Sequence, residues 1–162
     1  IFGGGTGSVP INEAVKNNLA DLLEVAQVVH ISGAGKMIDE SRPGYFCTEF
    51  LSHNDLLSAM SQSEIVVARP GLGTLTDLSA LQKASILVPM PNSHQEDNAK
   101  ACADAGAAIY IEQKDLNGKL VRTVTELLNS EGRRRSLENN IASIIKSGAA
   151  EMIVDLCYKL IK

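Results

Sequence analysis

Residues 64–78 limit the possible folds more than any other stretch of this chain. The apolar run Glu64-Ile65-Val66-Val67-Ala68 reads as a buried strand. A Pro/Gly turn follows at Arg69-Pro70-Gly71, and a helix then opens at Gly73-Thr74 with Asp77 expected in its first turn. A strand, a tight glycine turn and a helix in that order form a βα unit. Its geometry suits an anionic nucleotide. The free N–H groups and positive dipole end of the helix face phosphate, and glycines let the backbone approach closely. Asp77 would then lie within reach of a ribose hydroxyl. The same pattern also serves many α/β proteins as a plain, stable βα turn.

A second glycine turn stands at the start of the chain, in Ile1-Phe2-Gly3-Gly4-Gly5-Thr6-Gly7-Ser8-Val9-Pro10. Two apolar residues look like the end of a strand, and Pro10 falls near the first position of the next helix. Ile11, Ala14, Val15, Leu19, Leu22 and Leu23 then share one helical face. The turn is not a full G-x-G-x-x-G, because Ser8 takes the third glycine position. No acidic residue ends the next strand, Gln27-Val28-Val29-His30-Ile31-Ser32, where nicotinamide dinucleotide binders place one. The chain opens without Met and with half a strand, which suggests a fragment lacking a preceding domain.

Strands and helices alternate along the rest. Strands are expected at Val28–Ile31, Tyr45–Phe50, Ile65–Ala68, Ser85–Pro89 and Ala107–Ile111. Helices are expected at Asn54–Gln62, Thr74–Gln82 and His94–Ala105, and only helical patterns follow Asn117. This order predicts an α/β fold: a Rossmann-like parallel sheet of about six strands with helices on both faces, all within one domain over 1–162. Ligands bind such sheets at the C-terminal ends of the strands. Three loops leave there: Gly3–Ser8, Arg69–Gly73 and Pro89–Gln95.

Charge and composition exclude several alternatives. The net charge of −4 gives no footprint for nucleic acid, and Trp is absent. Arg133-Arg134-Arg135, with Lys119 and Arg122, reads as a solvated helix face. No apolar run approaches the roughly 18 residues of a membrane span, and no signal peptide is visible. Cys47, Cys102 and Cys157 are too scattered to hold a metal and read as reduced thiols of a cytoplasmic protein. His30, His53 and His94 show no metal spacing either. His30 reads as a satisfied core histidine, His53 as a helix-start residue, and His94 as a candidate ligand-binding residue. Lys36, Asp39 and Glu40 read as a solvated loop.

Five segments together carry a resemblance. They are Gly3-Gly4-Gly5-Thr6-Gly7, Thr48-Glu49-Phe50-Leu51, the Arg69–Asp77 turn, Leu87-Val88-Pro89 with His94-Gln95-Glu96-Asp97-Asn98-Ala99, and Ala105-Gly106-Ala107-Ala108. In this order they resemble the C-terminal, donor-binding domain of the MurG-type UDP-N-acetylglucosamine transferases, glycosyltransferase family 28, whose fold is one lobe of GT-B. The resemblance covers nearly the whole chain. It implies that Gly4, Gly5, Thr6 and Gly7 lie against the donor phosphates, with Gly73 and Thr74 at the second helix N-terminus. It places Phe50 and Leu51 at the uracil, Arg69 at the second turn, and His94 and Gln95 at the sugar. Asp77 stands where the family carries a glutamate for the ribose hydroxyls.

The activity so implied is metal-independent transfer of N-acetylglucosamine from UDP to a lipid-linked muramyl-pentapeptide, a step of peptidoglycan synthesis. No cofactor is implied. The partners would be the UDP-GlcNAc donor and, through a missing N-terminal domain, the lipid-linked acceptor. The full-length protein would sit peripherally at the cytoplasmic face of the membrane. No residue of this chain reads as a nucleophile or general base, and the base is expected in the missing domain. Two other readings fit the same motifs: a related GT-B transferase or sugar-nucleotide epimerase with another substrate, and a non-enzymatic nucleotide-binding module.

Overall fold

The computed structural model describes residues 1–145 and 148–161. Among them the strands are β1 (Val28–Ile31), β2 (Tyr45–Thr48), β3 (Val66–Ala68), β4 (Ser85–Leu87) and β5 (Ile109–Tyr110). The helices are α1 (Val9–Asn17), α2 (Leu19–Val25), α3 (His53–Gln62), α4 (Leu72–Leu81), α5 (Gln95–Asp104), α6 (Leu116–Leu128), α7 (Glu131–Ile141) and α8 (Ala149–Leu160), with a 3-10 turn at Gln113–Asp115.

All strand pairs are parallel. Phe2 bridges both Ile31 and Ala68, so it joins the β1–β2 pair to the β3–β4–β5 sheet. Its N–H donates to Val67 O at 2.9 Å, and Ile31 N–H donates to Ile1 O at 2.9 Å. Counting the Phe2 segment as the first strand, the order across the sheet is third, second, first, fourth, fifth, sixth. That is the Rossmann order, and its switch point lies between the Phe2 segment and β3. The six-stranded expectation therefore holds, with the first strand reduced to a bridge.

The central strands β3 and β4 are buried at every position, as a sheet covered on both faces requires, and successive side chains enter opposite faces. Val66, Ala68 and Leu87 pack with Met60 of α3, Leu75 and Leu78 of α4, and Cys102 of α5. Val67, Ile86 and Val88 pack with Ile11 and Val15 of α1, Leu22 of α2 and Leu120 of α6. Each of these large apolar side chains stabilises the fold by roughly 1.5–3 kcal/mol on burial. The loops at the strand ends thus hang from a fixed frame.

Several boundaries depart from the sequence reading. The first helix breaks at Asn18, whose side chain donates to Ala14 O at 2.8 Å and to Asn117 Oδ1 at 2.9 Å. β2 ends at Thr48 rather than Phe50, although Gly33 N–H still donates to Glu49 O at 3.1 Å. α4 starts at Leu72, two residues earlier than expected, because Gly71 takes the extended N-cap conformation. Asp77 consequently lies in the second turn of α4, not the first. Arg134 is no solvated residue: its guanidinium donates to Leu127 O and Leu128 O, both at 2.6 Å, and caps the end of α6. The exposed apolar residues Met152, Ile153, Leu156 and Leu160 lie along α8.

Candidate functional site

The Gly3–Ser8 loop leaves the Phe2 segment at the switch point. A Cβ on Gly7 would lie 2.0 Å from Ser32 O and 2.7 Å from Gly33 Cα, so only glycine permits this approach, and Gly7 also has φ +73°. Gly7 N–H closes the turn on Gly4 O at 3.1 Å. Gly5 and Thr6 stay exposed at the tip. Ser8 is the N-cap of α1, but its hydroxyl makes no bond to the helix.

That hydroxyl is held instead by Arg69. Arg69 is only 7% exposed. Nη2 donates to Ser8 Oγ at 2.8 Å and to Gln113 Oε1 at 2.5 Å; Nη1 donates to Val88 O at 2.9 Å and to Pro89 O at 2.5 Å. Its four terminal N–H groups are thereby engaged. Burial pushes the pKa of this side chain down, and among the described residues no carboxylate pairs with it. Arg69 therefore ties together the first glycine loop, the end of β4 and the segment after β5. The structure turns its terminal nitrogens to protein oxygens.

α4 begins beside this hub. Gly71 caps it, and Leu75 N–H returns to Gly71 O at 2.9 Å. The N–H groups of Leu72, Gly73 and Thr74 are the free donors of its first turn. Gly73 is exposed, with nothing within 4 Å of where its Cβ would stand. Asp77 lies four residues after Gly73 and three after Thr74, on the same helical face, and is half-buried.

The β4–α5 loop completes the strand ends. Gln95 Oε1 accepts from Met90 N–H at 3.1 Å, and Ser93 Oγ donates to Met90 O at 2.7 Å. Asn98 Nδ2 donates to Pro70 O at 3.0 Å and so links α5 to the second turn. His94 is exposed at the start of α5.

The glycine turns, Arg69, Gly73, Thr74, Asp77, His94 and Gln95 thus lie on loops and helix starts at one end of the sheet. Phe50 and Leu51 lie beyond β2. Phe50 is 70% exposed, and Leu51 lines a different feature. That feature is a groove of about 780 Å³ under α3, which runs toward the strand starts at Ile1, Val28 and Ile65. Its lining lacks the glycine turns and helix N-termini that suit an anion. Ser8, Asn98 and Gln113 escaped sequence reasoning as parts of the hub. A serine in the third glycine position was the one available signal.

His30 behaves as its apolar strand suggests. It is 0% exposed. Asn12 Nδ2 donates to Ser32 O at 2.9 Å, which leaves Asn12 Oδ1 to accept from His30 Nε2–H at 3.0 Å. His30 Nδ1 then accepts from the Tyr45 hydroxyl at 2.9 Å. Burial lowers the His30 pKa to about 4, so the ring is neutral.

Comparison with known proteins gives one consistent result. Residues 1–158 match the model of the glycosyltransferase family 28 C-terminal domain. The chain is 34% identical over 172 residues to the UDP-N-acetylglucosamine--N-acetylmuramyl-(pentapeptide) pyrophosphoryl-undecaprenol N-acetylglucosamine transferase of Myxococcus xanthus, covering 99% of this chain and 45% of that protein. It is 32% identical over 163 residues to the protein of the same name in Gloeothece citriformis, covering 96% and 45%. The chain therefore spans about half the length of the curated relatives it matches. Among solved structures, Acinetobacter baumannii MurG superposes with a TM-score of 0.79 at 23% identity, over 97% of this chain and 48% of that one. The glycosyltransferase VinC in complex with DTDP gives 0.59 at 20% identity, over 76% and 32%. These likenesses establish the fold as one α/β lobe of the GT-B architecture.

Proposed function

The chain belongs to the glycosyltransferase family 28 C-terminal domains, and we propose that it is the donor-binding half of a transferase that moves N-acetylglucosamine from UDP to a lipid-linked muramyl-pentapeptide. One observation carries this reading. Two glycine-lined turns, each opening a helix, meet at the switch point of a Rossmann-ordered sheet, with Asp77 on the same face of the second helix as Gly73 and Thr74. A nucleotide diphosphate is the chemistry that free N–H groups at two helix starts recognise.

In this reading Gly4, Gly5, Thr6 and Gly7 face the diphosphate from one side, and Gly73 and Thr74 from the other. Asp77 accepts from the ribose hydroxyls. Phe50 and Leu51 flank the uracil. His94 and Gln95 meet the sugar. Gln95 already spends its Oε1 on Met90 N–H, which leaves its amide N–H groups for a sugar oxygen. Arg69 serves through the loops it ties together. UDP leaves carrying developing negative charge, and helix N-termini stabilise that charge without reorganising. The acceptor site and the general base belong to a domain outside this chain, and the complete protein works peripherally at a cytoplasmic membrane surface.

Calorimetry with UDP, UDP-GlcNAc, UDP-glucose, dTDP and NAD tests the reading, on the wild-type chain and on Asp77→Ala. UDP and UDP-GlcNAc are expected to bind in preference to the others. Asp77→Ala is expected to weaken UDP binding by about 1–3 kcal/mol, the scale of a lost hydrogen bond to a charged group. Preference for NAD, or no UDP binding at all, sinks the proposal. Unchanged UDP affinity in a folded Asp77→Ala protein removes Asp77 from the site.

A further inference from the structure

The loop after β1 brings a lysine to the first glycine turn. Gly33 and Gly7 meet backbone to backbone, and a Cβ on Gly33 would lie 2.5 Å from Thr6 O. Lys36 N–H closes a turn on Gly33 O at 3.1 Å, and Gly35 N–H donates to Glu49 Oε1 at 2.9 Å. The chain so folded returns Lys36 to the neighbouring loop, where its Nζ donates to Thr6 O at 2.6 Å.

Residues 3–8, 32–37, 49–52, 69–73, 88–95 and 111–115 leave the strands at this end of the sheet, and they contain three lysine or arginine cations: Lys36, Arg69 and Lys114. Lys114 pairs with Glu112 at 2.5 Å. Arg69 has its terminal N–H groups on protein oxygens. Among the described residues Lys36 pairs with no carboxylate; Glu49, just beyond β2, is turned to Gly35 N–H. An ammonium carries three N–H donors, and Thr6 O takes one. A helix N-terminus offers only about half a unit charge, so a diphosphate held by helix starts alone is incompletely neutralised.

We propose that Lys36 is the side-chain cation that meets the donor diphosphate, reaching it from the β1–β2 loop across Thr6. The inference rests on the reading of this end of the sheet as a nucleotide-diphosphate site. The alternative role is a staple that only fastens one loop to the other.

Titration of the wild-type chain, Lys36→Gln, Lys36→Met and Lys36→Arg with UDP and with uridine, at low and high salt, separates the two. The charge-free variants are expected to lose UDP affinity about 10- to 100-fold. They are expected to keep uridine affinity within about twofold and to lose much of the salt dependence of UDP binding. Lys36→Arg is expected to restore most of the UDP affinity. Wild-type UDP affinity in folded Lys36→Gln and Lys36→Met overturns the inference. So does an equal loss for UDP and uridine, the result of a staple. If the wild-type chain binds uridine but not UDP, or neither, the nucleotide-diphosphate reading itself falls, and the role of Lys36 with it.

Discussion

Single residues at the switch point divide into those left free for a ligand and those that hold others in place. Arg69 is the clearest case of the second kind. The family resemblance puts this arginine at the second turn, among the donor-binding residues. In the fold its terminal nitrogens are consumed by Ser8, Gln113 and two carbonyls. Only tertiary structure reveals this, because its partners lie 19 to 61 residues away in the chain. His30 shows the converse, since a histidine within an apolar strand already announces a core role. Its buried network leads to a stability prediction. The folded pKa of about 4 lies below the ordinary value of 6.5, so as pH falls the unfolded chain takes up a proton first. The stability His30 contributes is full above pH 6.5 and is lost progressively toward pH 4. Between about pH 7.5 and about pH 5 the wild-type chain is expected to lose about 2 kcal/mol more than His30→Gln. Urea unfolding of both proteins at the two pH values checks this, and parallel losses would show that His30 does not titrate across unfolding.

At the scale of elements, each helix start is built differently, although the sequence makes them look alike. α1 has a serine cap whose hydroxyl is drawn off to Arg69, while α4 is capped by Gly71 with no side chain at all. The β4–α5 loop is held by its own polar side chains, Gln95 and Ser93 on Met90. If the free amide N–H groups of Gln95 meet the sugar, Gln95→Ala is expected to weaken UDP-GlcNAc binding about tenfold, the cost of about one hydrogen bond, while UDP binding stays nearly constant. Competition titrations with both ligands decide it, and equal losses would assign Gln95 to loop architecture alone. The order and type of elements were legible because strand runs and helical faces repeat with their own periods. Element ends were less so. The break at Asn18 depends on Asn117, 99 residues away. The early start of α4 depends on the extended backbone of Gly71, and it moves Asp77 one turn down the helix. The placement of Leu51 on the groove under α3 depends on how β2 ends, which no local pattern specifies.

At the scale of the whole molecule, the sheet presents one ligand-suited end and the chain spans 45% of its Myxococcus xanthus relative. Transfer of a sugar requires donor, acceptor and base in attack geometry, an arrangement that contributes roughly 7–11 kcal/mol to lowering the barrier. On the proposed reading, the described loops supply helix N-termini, Asp77 and amide groups for a donor. They bring no histidine–carboxylate pair or activated nucleophile to the same place; the one buried histidine is neutral and sealed between Asn12 and Tyr45. Binding energy from one wall of a cleft fixes the donor but leaves the acceptor free in solution, so the entropic part of the barrier stays. The chain alone is therefore expected to bind UDP-GlcNAc and to release no UDP when a lipid-linked muramyl-pentapeptide analogue is added. Incubating the two and following UDP by a coupled assay tests this. Turnover at a rate typical of an enzyme, roughly 1–1000 per second, would mean that the acceptor site and base lie within these 162 residues and would overturn the half-site reading.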